Sequence, residues 1–145
     1  DAFGLYVFCL SLFGATLHPF VALLILFGLR QLCQATCTLP SPPGVIWRDP
    51  GFPSLFVTYG TSNDFFFSGH TAISVLGALQ LAHHAPPWLA AIDAVIAVLE
   101  AATVIVLRAH YTMDVFAAPF AAWGADTIAR HLAPSLDTWL GRVLG

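Results

Sequence analysis

Long apolar runs alternate with short polar or proline-rich breaks, and this pattern predicts an all-α protein built from membrane-spanning helices. Residues 2–16 predict the end of one span, and residues 19–38 predict the next, because His18-Pro19 interrupts the apolar sequence. Proline is favoured in the first turn of a helix and disfavoured further inside it. Residues 40–63 are rich in proline, glycine and aromatic residues, so they predict a loop.

The rest of the chain predicts three more helices and a tail. The apolar runs are 72–82, 88–107 and 115–128, with a turn at 83–87 and a kink expected at Pro119. The tail, residues 131–145, predicts an interfacial amphipathic helix. We therefore expect a polytopic transmembrane bundle of about five spans, the first of them truncated, in a single catalytic domain over residues 1–145. Because the chain begins inside an apolar run, a second interpretation is a fragment that lacks the first helices.

Composition supports a membrane location. Hydrophobic residues make up 58% of the chain and charged residues only 9%, against a usual charged content of about 25%. The mean hydropathy is +0.80, as expected for an integral membrane protein. The net charge of -3 and the absence of a basic run argue against a nucleic-acid partner. We expect no cofactor.

Polar residues with catalytic potential concentrate between Arg108 and Asp114. If this segment is helical, His110 and Asp114 lie one turn apart on one face. A carboxylate in that position can hold an imidazole N–H, fix its tautomer and make the other nitrogen a better nucleophile or base. The alternative is a solvated polar turn between two membrane helices.

A second polar motif, Ser68-Gly69-His70, begins the helix that follows the loop. Two apolar runs separate His70 from His110, so the chain returns to the membrane face that it left. Both histidines should therefore lie on one face, each at the start of a helix. A helix N-terminus attracts anions, and Ser68 and Gly69 allow a phosphate to approach closely.

Two arginines complete the candidate site. Arg30 lies within the predicted span 19–38, where an ionisable residue is a functional hypothesis, although its side chain could also reach the interface. Arg108 lies two residues before His110. We predict His70, His110 and Asp114 as catalytic residues, and Arg30, Arg108, Ser68 and Gly69 as phosphate-binding residues, for phosphoryl transfer without a metal.

The paired motifs, residues 64–71 and His110-Tyr111-Thr112-Met113-Asp114, resemble those of the sphingomyelin synthase family in the type 2 phosphatidic acid phosphatase superfamily. The resemblance spans about residues 19–128. It implies a helical bundle whose triad faces the exoplasmic or periplasmic side. It further implies that His110 forms a phosphohistidine, that Asp114 orients it and that His70 serves the departing and incoming alcohols. The implied substrates are a phospholipid donor and a ceramide or diacylglycerol acceptor.

Three alternatives stay open. A lipid phosphate phosphatase would use the same triad, with water in place of the acceptor alcohol. A metalloprotein would use His70, His110 and Asp114 as ligands of a divalent ion. A bundle without catalysis would use the polar residues only for structure. For Asp93 and Glu100, a structural hydrogen bond or buried ion pair is favoured, and the arginine distribution weakly favours an outward-facing site.

Overall fold

Helices dominate the computed structural model of the chain. It describes residues 5–6, 9–10, 13–14, 16–37, 39–46 and 66–144, and these residues include no strand. The long helices are α1 (His18–Thr36), α2 (Gly69–His84), α3 (Pro87–Val106) and α4 (Thr112–Leu144). The prediction of an all-α protein is confirmed in the described part of the chain.

Helix α1 agrees with the predicted span 19–38 to within two residues. Pro19 lies in its first turn, where a missing N–H costs no hydrogen bond. Asp137 of α4 binds the start of the helix: the Leu17 N–H donates to its Oδ1 and the Thr16 hydroxyl to its Oδ2, both at 2.8 Å. After Thr36 the backbone becomes extended. Most of the predicted span 2–16, and residues 47–63 of the predicted loop, lie outside the described residues.

Helices α2 and α3 form an antiparallel hairpin. Ser68 caps α2, since its Oγ accepts hydrogen bonds from the Thr71 N–H at 3.4 Å and the Thr71 hydroxyl at 3.0 Å. The turn predicted at 83–87 is shorter than expected, because α2 continues through His84 and α3 begins at Pro87. Residues 85–86 are sufficient for the reversal.

Helix α4 corrects the sequence prediction for the end of the chain. Residues 115–128 are helical as predicted, but a separate tail helix over 131–145 is wrong, because one helix of 33 residues runs from Thr112 to Leu144 through Pro119 and Pro134. The physical reason is a stripe of buried alanines at i, i+4, i+7, i+11 and i+15: Ala118, Ala122, Ala125, Ala129 and Ala133. Small residues let the helix approach its neighbours closely along this length.

The core lies where α1, α2 and α4 meet. It is formed by Val21, Ala22, Leu23, Leu26, Phe67, Ala72, Leu76, Ala118, Ala122, Ala125 and Ala129. Helix α4 packs on both α1 and α2, whereas α3 packs mainly on α2 and touches α4 only slightly. As a result α3 carries a broad exposed apolar surface.

By length and composition, α1 and α3 could cross a membrane, with mean hydropathies of 1.4 and 2.3. Helix α2 has 16 residues, fewer than the roughly 20 that a span needs. The described residues therefore support two candidate spans, and the expected five are not supported.

Candidate active site

The two polar motifs meet at one end of the bundle. The Ser68 N–H donates a hydrogen bond to the Asp114 carbonyl oxygen at 3.0 Å, which ties the cap of α2 to the first turn of α4. His70 follows Ser68 by two residues and is half-buried. The hairpin of α2 and α3 thus returns the chain to the place that it left.

His110 and Asp114 are close, although they do not lie on one helix turn. Helix α4 begins only at Thr112, and His110 lies in the bend before it. The helical placement of His110 is therefore wrong. Its Nδ1 lies 3.8 Å from Asp114 Oδ2, and the two side chains are only 8% and 3% exposed. This distance is too long for a hydrogen bond, but catalytic contacts are often long before the substrate binds.

Local contacts fix the Asp114 carboxylate. The Tyr111 N–H donates to Asp114 Oδ2 at 3.0 Å, and the Asp114 N–H donates to the Tyr111 carbonyl at 3.0 Å. Burial raises the pKa of Asp114, while the Tyr111 hydrogen bond acts in the opposite direction. Asp114 lies outside both candidate spans, in the first turn of α4, where the helix dipole favours a negative charge.

Arg30 lies directly against the first residue of α2. A Cβ placed on Gly69 would lie 2.9 Å from Arg30 Cζ and 3.0 Å from its Nε and Nη1. Arg30 is only 7% exposed. The guanidinium and the N-terminus of α2 therefore put two positively polarised groups in one buried place, an arrangement suited to a phosphate.

Arg108 adopts an unusual backbone conformation. Its φ is 52°, and it is the only described residue other than glycine with a positive φ. It occupies the position after the α3 C-cap in a Schellman motif, with the Arg108 N–H bound to Ile105 O and the Ala109 N–H bound to Val104 O, both at 3.0 Å. Glycine is the usual residue there. Strain of this kind is common at functional positions.

The Arg108 side chain contacts the segment that follows α1. A Cβ on Gly44, whose φ is +74°, would lie 2.8 Å from Arg108 Nη1, and the Ile46 N–H donates to the Leu107 carbonyl at 3.0 Å. Arg108 itself is exposed. The structure thus joins Arg108 to this segment, and its phosphate-binding role stays a prediction.

A second polar cluster, which sequence reasoning missed, surrounds Asp126. The carboxylate is fully buried and lies 12 residues after Asp114, about 18 Å further along α4. Its partners are Gln80 Nε2 at 2.7 Å, His18 Nε2 at 3.1 Å, Arg130 Nη2 at 3.1 Å and His83 Nε2 at 3.3 Å. Only the i, i+4 spacing of Asp126 and Arg130 could have signalled it from the sequence. The cluster joins α1, α2 and α4 at the end away from the candidate site.

Other acidic groups contribute less. Asp93 and Glu100 are half-buried on α3, and Asp93 lies close enough to Tyr6 for its charge to act on the phenol. Within the described ranges, no three His, Cys, Asp or Glu side chains are grouped so that they could hold a metal ion. The metalloprotein alternative therefore gains no support.

A comparison with known protein families finds a match that includes the candidate active site. A family model described as AtPDCT1/2 matches residues 3–131, a stretch that contains both motifs and Arg30. The chain belongs to the AtPDCT1/2 family. That name denotes phosphatidylcholine:diacylglycerol cholinephosphotransferases. No curated protein and no solved structure matches the chain.

The resemblance to the sphingomyelin synthase family and the phosphatidic acid phosphatase superfamily is therefore wrong. That resemblance covered about residues 19–128 but relied on two short motifs, and short motifs indicate a type of chemistry more than a common ancestor. The family model matches residues 3–131. The expectations of a sphingolipid acceptor and of a hydrolase lose their support. The coarser expectation of a membrane-associated lipid head-group transferase agrees with the family and with two candidate spans.

Proposed function

We propose that the chain transfers phosphocholine from phosphatidylcholine to diacylglycerol, and that a phosphohistidine on His110 carries the group between the two lipids. Membership of the AtPDCT1/2 family supports the substrates. The observation that carries the site assignment is the 3.0 Å hydrogen bond from the Ser68 N–H to the Asp114 carbonyl, which joins the two motifs. The outward orientation of the site stays a prediction.

In the first half of the reaction, His110 Nε2 attacks the phosphorus of phosphatidylcholine. Its Nδ1 faces Asp114 Oδ2 at 3.8 Å, so the carboxylate favours the tautomer with the proton on Nδ1 and leaves the Nε2 lone pair for attack. The bond between phosphorus and the glycerol oxygen breaks. Protonated His70 gives its proton to that oxygen, and diacylglycerol leaves.

In the second half, neutral His70 accepts the proton of an incoming diacylglycerol hydroxyl. The oxygen attacks phosphorus, the bond between phosphorus and His110 Nε2 breaks, and phosphatidylcholine leaves. Arg30 and the N-terminus of α2 stabilise the negative oxygens in both transition states. The net change exchanges one diacylglycerol for another, and both histidines return to their starting protonation states.

Transfer is measured with the full chain in mixed micelles that contain choline-labelled phosphatidylcholine and a diacylglycerol of different acyl composition. His70→Ala and Asp114→Asn should each lower turnover by about 100- to 10,000-fold, the range for removing an acid, base or orienting group. His110→Ala removes the nucleophile and should abolish transfer. The matched control is His131→Ala, since His131 is exposed on α4. Full turnover in any of the three site variants would contradict its assigned role.

The fate of the label separates transfer from hydrolysis. Without acceptor, His110 should retain the label in a form that is stable in base and labile in acid, as a phosphoramidate is. Release of phosphocholine to water with no transfer product would favour the phosphatase-type alternative. Release of free choline would place the cleavage at the other phosphoester bond and would contradict the proposal.

A further inference from the structure

An apolar groove of about 520 Å³ lies between α2, α3 and the first turns of α4, within the size range of small-molecule sites. Among the described residues that line it, Thr71 alone is polar. Thr71 follows His70 in the chain, and Val115, which also lines the groove, follows Asp114. One end of the groove therefore lies beside the candidate active site.

The length of the groove matches one leaflet of a membrane. Helix α2 lines it from Thr71 to Ala82, and the antiparallel α3 lines it from Ala101 back to Ala90. Each stretch advances 11 residues, about 16 Å at 1.5 Å per residue. This is about half of a hydrocarbon core of roughly 30 Å. A chain that starts at the site can thus lie in the groove over a length close to that of one leaflet.

Small side chains create the groove. Six of its lining residues are alanines: Ala78, Ala82, Ala90, Ala94, Ala97 and Ala101. Because α3 and α4 make few contacts with each other, the space between them stays open, and α2 forms the floor of the groove. The side chains along its rim include Val98 and Phe116, which are 68% and 62% exposed. The groove is therefore apolar along its length and accessible from the side.

We propose that this groove binds one acyl chain of the diacylglycerol unit shared by the donor and the acceptor. The inference rests on the proposed function. The donor leaves as diacylglycerol and the acceptor leaves as phosphatidylcholine, so both place a glycerol oxygen at the phosphorus and direct their chains the same way. Lipid tails are already in an apolar solvent, so the groove acts by orientation. It aligns the glycerol oxygen with His70 and His110.

The test places a phenylalanine at two distances from the site along α3 and compares acceptors of different acyl-chain length. Ala94→Phe fills the groove about 10 Å from its site end, and Ala90→Phe fills it about 16 Å away. The matched control is Ala91→Phe, since Ala91 is exposed on α3 and does not line the groove. The donor is dioctanoyl phosphatidylcholine, and the acceptors are dioctanoyl, dilauroyl and dipalmitoyl diacylglycerol.

Ala94→Phe should lower kcat/KM for the dipalmitoyl acceptor by about 10- to 100-fold, since a misplacement of about 1 Å costs up to about 100-fold. It should leave the dioctanoyl acceptor unchanged. Ala90→Phe should affect only the longest acceptor, and the control none of them. Equal rates with all acceptors in every variant would overturn the groove inference and leave the proposed function intact.

Four further outcomes bear on the groove. Equal loss with every acceptor in Ala94→Phe, together with a changed oligomeric state or melting temperature, would mean that another segment or a second copy covers the groove. A photoreactive diacylglycerol with its reactive group at the chain end reports binding without turnover. It should label α3 in the control and much less in Ala94→Phe. Labelling without any transfer by the wild type would overturn the proposed function while supporting the groove, and absence of labelling would overturn the groove.

Discussion

Gly69→Ala is the most direct test of how Arg30 takes part in the site. The added Cβ would lie 2.9 Å from Arg30 Cζ and 3.0 Å from Nε and Nη1. Carbon atoms in favourable contact lie about 3.5–4.0 Å apart. The guanidinium must therefore withdraw by about 0.5–1 Å. Since the contacted atoms are the far end of the flexible Arg30 side chain, and Gly69 opens a helix, the guanidinium moves more easily than the backbone.

Gly69→Ala should lower activity and leave stability nearly unchanged. A hydrogen bond to a charged group contributes about 1.5–3 kcal/mol, so losing one in the transition state lowers turnover about 10- to 100-fold. Alanine is otherwise a better helix residue than glycine, which limits the change in the free energy of unfolding to about 1 kcal/mol. Gly69→Ala should thus lower kcat/KM with phosphatidylcholine at nearly constant stability.

The assay is head-group transfer in mixed micelles, with the melting temperature measured in parallel. Matched controls are Gly28→Ala and Gly124→Ala, because an added Cβ at these helical positions would meet nothing within 4 Å. Both should keep full activity. If Gly69→Ala acts by displacing Arg30, its effect should disappear in an Arg30→Ala background, as a double-mutant cycle would show.

Two results would refute this reasoning. Full activity in Gly69→Ala, with Arg30→Ala inactive, would show that the position of the guanidinium tolerates a shift of this size. An undiminished effect of Gly69→Ala in the Arg30→Ala background would show that the new methyl group blocks the substrate itself.

Three other predictions follow from the described contacts. Burial raises the pKa of Asp114, so folding favours its protonated form. Asp114→Asn should therefore lose turnover yet raise the melting temperature at neutral pH, and the gain in melting temperature should vanish as the pH falls through the ordinary carboxyl range. A gain that does not depend on pH would contradict burial of the charge as its cause. Asp126→Ala should lower the free energy of unfolding by about 3–5 kcal/mol, and Asp126→Asn by less, in denaturant titrations; equal losses would contradict a role for the charge. Arg108→Asn should keep stability, since asparagine tolerates a positive φ, while the KM for phosphatidylcholine rises; an unchanged KM would remove Arg108 from the phosphate site.

Helix positions were largely predictable, because they depend on local sequence. Apolar runs of sufficient length, with prolines at residues 19, 40 and 87, mark the ends of α1 and the start of α3. The end of the chain was not predictable in this way. Polar residues after Ile128 suggested a separate interfacial helix, yet buried alanines and the contact of Asp137 with the start of α1 keep α4 continuous.

The family was also beyond what short motifs could determine. Ser68-Gly69-His70 and His110 with Asp114 suggest phosphoryl chemistry through their residue types, and unrelated families can share such types. The match to AtPDCT1/2 covers residues 3–131, and this longer match corrects the family assignment. The corrected family still agrees with the coarser prediction of a lipid head-group transferase.

The sequence alone determined that two histidine motifs, separated by two apolar runs, begin at the same end of a helical protein. The reason is local: hydrophobic periodicity, prolines and chain length control where helices start and reverse. Only the tertiary structure decided that Arg30 lies on Gly69, that Arg108 takes a left-handed conformation against Gly44, and that His110 approaches Asp114 from a bend. Two of these depend on packing between segments far apart in sequence, and the third on how α3 passes into α4. No spacing or periodicity in the chain encodes them.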